Sequence, residues 1–278
     1  MKSANRSSPG LRILAILSVL AYGGVLAVNG AANILPLNGV NTGRLSDELP
    51  NLFVPAGLTF SIWGLIYLLL AGYAIALCAE VFGERARRSW DSHDGFLFLI
   101  NACANMGWIF AWHWRNLPLS LCLMLVILGS LIALEEGNAS RLRASGSLAG
   151  SGKLRRFFLT VPINVYLGWI MVATIANVTA LLVKLGWNGF GLDPRFWTVL
   201  VIAVGAALAM LLAFSRKAIA APAVVVWAFA GIALKRLGVD ADYSRAVWLA
   251  AIAGAALIAC AVLIAQLSRP GLRHRAKA

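Results

Sequence analysis

The chain has 278 residues, of which 60% are hydrophobic and only 13% charged; its mean hydropathy of +0.81 excludes a soluble globular domain, which carries about 25% charged residues. A formal net charge of +13 would suggest nucleic acid in a soluble protein, but here the basic residues sit between apolar runs, so they report topology and no nucleic-acid partner is expected. Lipid is the solvent, and at roughly 20 apolar residues per crossing the length accommodates one all-α, polytopic membrane helical bundle.

Apolar runs fall near residues 11–35, 57–80, 95–114, 117–135, 157–185, 195–214, 219–234 and 243–267, which predicts about eight transmembrane helices. The run at 219–234 is short and carries Pro222, leaving open a full span or a re-entrant piece. The first run has a basic flank and small residues at Gly30, Ala31 and Ala32, as a signal peptide does. Its length and its polar pair Asn29 and Asn33 favour a retained helix.

Charge tests the helix count independently. With the N-terminus inside, Lys2, Arg6, Arg12, Arg85, Arg87, Arg88, Arg141, Arg143, Lys153, Arg155, Arg156, Arg216, Lys217, Arg269, Arg273, Arg275 and Lys277 share the cytoplasmic side, 17 of the 24 basic residues. Arg44, Arg115, Lys184, Arg195, Lys235, Arg236 and Arg245 lie on the other. The asymmetry places both termini in the cytoplasm and favours a cytoplasmic (inner) membrane. Residues 36–56, with Pro36 and Pro50, read as an ordered extramembrane loop, and residues 136–156, rich in Gly, Ser and Arg, as a flexible cytoplasmic linker.

Chemistry at bilayer depth normally needs ionisable groups, and the runs contain almost none. His113, beside Trp112, Trp114 and Arg115, reads as an interfacial residue at headgroup level. With His93 and His274 in loops, the histidines assemble neither a metal cluster nor a nucleophile and base. Cys78, Cys103, Cys122 and Cys260 have no C-x-x-C spacing and read as small packing residues. Of the 10 Trp, Trp187, Trp197 and Trp248 stand at span ends and fit an aromatic belt. Trp63, Trp108, Trp169 and Trp227 lie within spans, where an indole serves either as the wall of a ligand pocket or as helix packing. Asn29, Asn33, Asn101, Asn105, Asn164 and Asn177 divide the same way, between interhelical glue and a polar anchor for a ligand.

The motifs decide which reading to follow. PAGLTFSIWGLIYLLLAGYA at 55–74 resembles the second-helix signature of the tryptophan-rich sensory protein and translocator protein family (TspO/MBR, formerly the peripheral benzodiazepine receptor), with Pro55, Phe60, Trp63, Tyr67, Gly72 and Ala74 in register. NACANMGWIF at 101–110 is similar to its third-helix pattern through Asn105 and Trp108. VYLGWIMVATIAN at 165–177 resembles its fifth-helix pattern through Tyr166, Trp169, Ala173, Thr174 and Asn177. Leu58 stands where the family has the first Trp of its second helix, and Val165 where it has Pro.

The resemblance covers residues 11–185 and implies a five-helix bundle whose interior binds porphyrins, other tetrapyrroles or hydrophobic drug-like and sterol ligands beneath the first loop. Carried over by position, Trp63, Asn101, Asn105, Trp108, Trp169 and Asn177 become ligand-binding candidates. The expected organisation is a TspO-like bundle at 1–190 and additional transmembrane helices with a basic tail at 191–278, making the chain an extended relative. Ala250 and Gly254, spaced four apart, give the added helices a small-residue face for close packing or a homo-oligomer.

The leading functional expectation is a sensory or regulatory membrane protein that binds a planar hydrophobic molecule and requires no cofactor, with a tetrapyrrole as the possible ligand. A facilitative carrier, an assembly subunit without a small ligand, and an enzyme acting on a bound porphyrin are the alternatives. Its partners are the bilayer and that ligand.

Overall fold

A computed structural model describes residues 8–35, 37–49, 51–83, 90–144 and 153–268. Lys2, Arg6, Pro36, Pro50, Arg85, Arg87, Arg88, Arg269, Arg273, His274, Arg275 and Lys277, all named above, lie outside these residues, as do the side chains of Arg141, Arg143 and Arg155.

The described residues form helices α1 (Pro9–Ile34), α2 (Thr42–Asp47), α3 (Ile62–Phe82), α4 (Ser92–His113), α5 (Leu117–Ala144), α6 (Lys153–Lys184), α7 (Pro194–Arg216), α8 (Ala220–Val239) and α9 (Arg245–Leu267), and no strand. Eight of them are long and apolar enough to cross a membrane. Local chemistry sets their ends. Ser8 caps α1 through a bond from the Leu11 N–H, with Pro9 just inside; Asp193 caps α7 ahead of Pro194. Both follow the preference for an oxygen at the cap and proline in the first turn. Asp91 and Asp94 form a reciprocal capping box on α4.

Two expectations change here. The doubtful run at 219–234 is a continuous helix of 20 residues, about 30 Å long and enough to span. Pro222 falls in its first turn, where the missing N–H costs nothing. The described ends of the expected linker at 136–156 are helix, since α5 runs on to Ala144 and α6 begins at Lys153, while residues 145–152 lie outside the described residues; Glu135, Glu136, Leu142 and Ala144 are good helix formers.

The chain forms two compact units. The first comprises the residues up to Thr42 with Trp63–Leu167, and the second Gly43–Ile62 with the chain from Gly168 onward. In the first, α4 packs between α1 and α5. Tyr22 of α1 donates to the Tyr67 carbonyl of α3 at 2.8 Å, and Tyr73 of α3 meets Phe98 of α4 at 5.5 Å. At Gly72 an added Cβ would lie 2.2 Å from the Phe158 ring, so this motif glycine is what lets α3 approach α6.

In the second unit α9 packs on α7 and α8, and α7 on α8. Phe229 of α8, fully buried, sits between Gly205 of α7 and Gly254 of α9, each of whose added Cβ would come within 3.3 Å of its ring. Gly254 thus packs helices within the chain. The 43–62 segment belongs to this unit as well. Ala56 N–H bonds the Gly231 carbonyl at 3.0 Å, and the Trp227 indole donates to the Thr59 carbonyl at 3.0 Å, so Trp227 pins a loop.

Polar groups lie inside and apolar ones outside. Asn29, Asn101, Asn105, Ser18 and Ser130 are buried, while Leu20, Leu68, Ile75, Leu211 and Leu263 are exposed. That inversion is what lipid selects, because an unsatisfied amide in hydrocarbon is costly and a bare leucine is not. Cys103, Cys122 and Cys260 are exposed and only Cys78 half-buried, so the cysteines are largely surface residues of their helices and not the packing residues expected.

Candidate functional site

In the first unit the sequence candidates Trp63, Asn105 and Trp108 come together. Trp63 stacks on Tyr67 with centroids 5.6 Å apart, meets the edge of Tyr166 at 5.9 Å and lies 6.4 Å from Trp108. Trp108 in turn stacks on Trp112 at 5.8 Å. The spacing of Trp63 and Tyr67 on α3, and of Trp108 and Trp112 on α4, puts each pair on one helix face, so the array is two such pairs side by side. Trp63 and Tyr67 keep part of their surface open, whereas Trp108 is buried and its Nε1 has no hydrogen-bond acceptor among the described residues. Unmet indole donors of this kind are unusual.

Asn105 anchors the array from below. Its Oδ1 accepts from Asn29 Nδ2 at 2.8 Å and its Nδ2 donates to the Tyr166 hydroxyl at 2.7 Å, joining α1, α4 and α6. The Tyr166 O–H, having accepted there, retains its own hydrogen to donate. Asn105→Leu is expected to cost about 1–2 kcal/mol, the range for interhelical amide bonds in membranes, measured as thermal unfolding in detergent. Tyr166→Phe, which removes the hydroxyl and so only one of the two Asn105 bonds, should cost about half as much.

The remaining candidates lie elsewhere. Asn101 turns to α5, where its Nδ2 bonds Ser130 Oγ at 2.9 Å and the Ile127 carbonyl at 3.3 Å. Trp169 and Asn177 belong to the second unit; Trp169 packs edge-on against Phe60 at 5.7 Å, and Asn177 Nδ2 reaches the Ala173 carbonyl at 3.5 Å.

His113, the last residue of α4, is fully buried within the protein: its Nδ1 pairs with the Ile109 carbonyl at 2.8 Å, and its own carbonyl accepts from Asn38 at 2.8 Å. At the span ends, Trp197 donates to the Gly189 carbonyl at 2.9 Å and Trp248 to the Ala241 carbonyl at 3.0 Å. Asp91, His93 and Asp94 bring their ligand atoms within 4.8 Å of one another, but the two carboxylates are the capping box of α4.

Four participants were not among the candidates. Tyr67 and Tyr166 were visible as motif positions without an assigned role, Trp112 as a neighbour of His113, and Asn29 as an intramembrane amide without a partner. A further concavity had no signal. In the second unit a cleft of about 810 Å³ is lined by the 46–54 segment, the end of α6, the start of α7 and the end of α8. At its rim the Asp193 carboxyl is held down to about 2 by hydrogen bonds from Arg195.

The family model of TSPO-like proteins matches residues 15–264. No curated protein and no solved structure matches the chain. The family match passes well beyond residue 185, where the motif resemblance ends, and takes in the last three spans as well. From its first span into its eighth, this integral membrane protein belongs to the TSPO-like family.

Proposed function

We propose that the protein is a membrane sensor that binds a planar hydrophobic ligand of the tetrapyrrole class against the aromatic array of the first unit. The observation that supports this most is the array itself: Trp63 with its ring centroid 5.6 Å from Tyr67 and 6.4 Å from Trp108, the Trp108 indole being a buried donor with no acceptor among the described residues. Stacked rings give a flat ligand dispersion surface, and the free N–H and the Tyr166 hydroxyl offer a carbonyl or propionate two donors. Asn105 fixes those rings in place. Trp169 and Asn177, which lie in the second unit, are proposed as ligand-binding residues of that unit, and Asn101 as a support of α5. Family membership favours the reading without reaching the ligand. The loop charges favour a topology with both termini in the cytoplasm and a cytoplasmic-type membrane.

The test is a fluorescence titration of the full-length protein in nanodiscs with protoporphyrin IX, comparing wild type with Trp63→Leu and Trp108→Leu. Saturable quenching weakened at least tenfold, about 1.4 kcal/mol, is expected. Linear quenching, identical in all three proteins, would reduce the interaction to partitioning into lipid. Saturable binding accompanied by flux into sealed liposomes would assign the carrier role instead.

A further inference from the structure

The cleft of the second unit shares no lining residue with the array and needs its own account. Its walls come from the last turns of α6 and α8 and the first turn of α7, with residues 46–54 alongside, so it stands where helices end and the bilayer meets water. Its volume, about 810 Å³, is in the range that holds a drug-sized ligand. Leu49, Leu52, Leu182 and Val239 line it with apolar surface, and Trp187 and Trp197, whose rings are 5.0 Å apart, with aromatic surface.

Its polar side is set by donors. Arg236 is only 6% exposed, unusual for a cation. Its Nη1 reaches Asp240 Oδ2 at 3.1 Å, while its Nε is buried with no acceptor among the described residues. Lys235 meets Asp47. The acids are already in use: the second oxygen of Asp240 accepts from Ser244 Oγ at 2.9 Å. Arg195, the nearby cation at the start of α7, is held by Asp193. The unmet donor among the described residues of the cleft is thus on a buried guanidinium, whose planar fork suits an oxyanion.

We propose that this cleft binds an amphipathic anion, seating its acidic headgroup on Arg236 and Lys235 and its hydrocarbon body along Leu182, Trp187 and Trp197. A chain-bearing carboxylate and an anionic phospholipid share that chemistry. An acidic headgroup on Arg236 meets a guanidinium whose Nε has no acceptor among the described residues, and the site's position at the membrane boundary is where an amphiphile concentrates.

The test uses the full-length protein in phosphatidylcholine nanodiscs, photolabelled with palmitic acid carrying a diazirine near the end of its chain. Label is expected in peptides covering 179–198. Palmitate should compete at least tenfold better than hexadecanol, and this advantage should be lost in Arg236→Gln. Thr179→Trp, which fills the cleft without touching its charges, should abolish the labelling and decides the matter if Arg236→Gln misfolds; Gly64→Ala, on the open face of α3, should leave it unchanged. Stronger competition by phosphatidylglycerol than by palmitate supports the site with a bilayer lipid as its occupant. Equal competition by hexadecanol, or labelling of the same peptides in both Arg236→Gln and Thr179→Trp, overturns the proposal. The titration of the aromatic array involves none of these residues, so the two readings fail separately.

Discussion

Replacing Gly168 by leucine will destroy the packing of α6 against α8 and lower stability by about 3 kcal/mol or more, at or beyond the upper end of ordinary overpacking penalties. An added Cβ would lie 2.5 Å from the Ala221 carbonyl oxygen and 2.8 Å from its Cα. Both are backbone atoms in the first turn of α8, so no rotamer change relieves the clash and the helices must separate. Even alanine should be damaging here. Gly64→Ala supplies the contrast, because nothing lies within 4 Å of its added Cβ, and the better helix propensity should leave stability unchanged or raise it by up to about 1 kcal/mol. Fluorescence-detected size exclusion after heating reads both; equal melting of the two variants would contradict the close approach.

Gly231→Ala comes next. Its Cβ would fall 2.0 Å from Thr59 Oγ1 and 2.9 Å from Thr59 Cγ2, and Thr59 is itself buried. The same stretch carries the Ala56 to Gly231 backbone bond and the Trp227 to Thr59 bond, so the clash releases a segment held at three points. A loss of about 2–3 kcal/mol is expected. Because the offending atoms are a side chain, Thr59→Ala should restore much of it: the double variant should be more stable than the sum of the singles by at least about 1 kcal/mol, as for residues in contact. Strict additivity would mean that the 57–61 segment does not rest on α8.

The eight spans were legible because apolar run length measures the bilayer directly. What hydropathy does not report is helix outside it, and so α5 overran its span through Glu135–Ala144 without an apolar signal. Pro222 looked like an interruption only because the start of α8 is not marked by a side-chain cap. Spacing alone put Asn29 and Asn33 on one face, as it did Asn101 and Asn105, but a face does not name its neighbour. Asn105 meets Asn29 and Tyr166, while Asn101, one turn away, meets Ser130. His113 stood out by its Trp and Arg neighbours, but its bond from Asn38 joins residues 75 positions apart and had no signal in the sequence. The cleft was invisible for a different reason: its walls come from residues near 50, 185 and 237, and only the fold joins them.

The central claim is that a planar ligand lies on the aromatic array of the first unit, and the most direct measurement is an experimental structure of the full-length protein in nanodiscs saturated with protoporphyrin IX. The account predicts density for the macrocycle against Trp63 and Tyr67, with an oxygen within hydrogen-bond distance of Trp108 Nε1. Macrocycle density found only in the surrounding lipid or only in the cleft beside Arg236, with Trp63, Tyr67 and Trp108 packed as they are here, would contradict it.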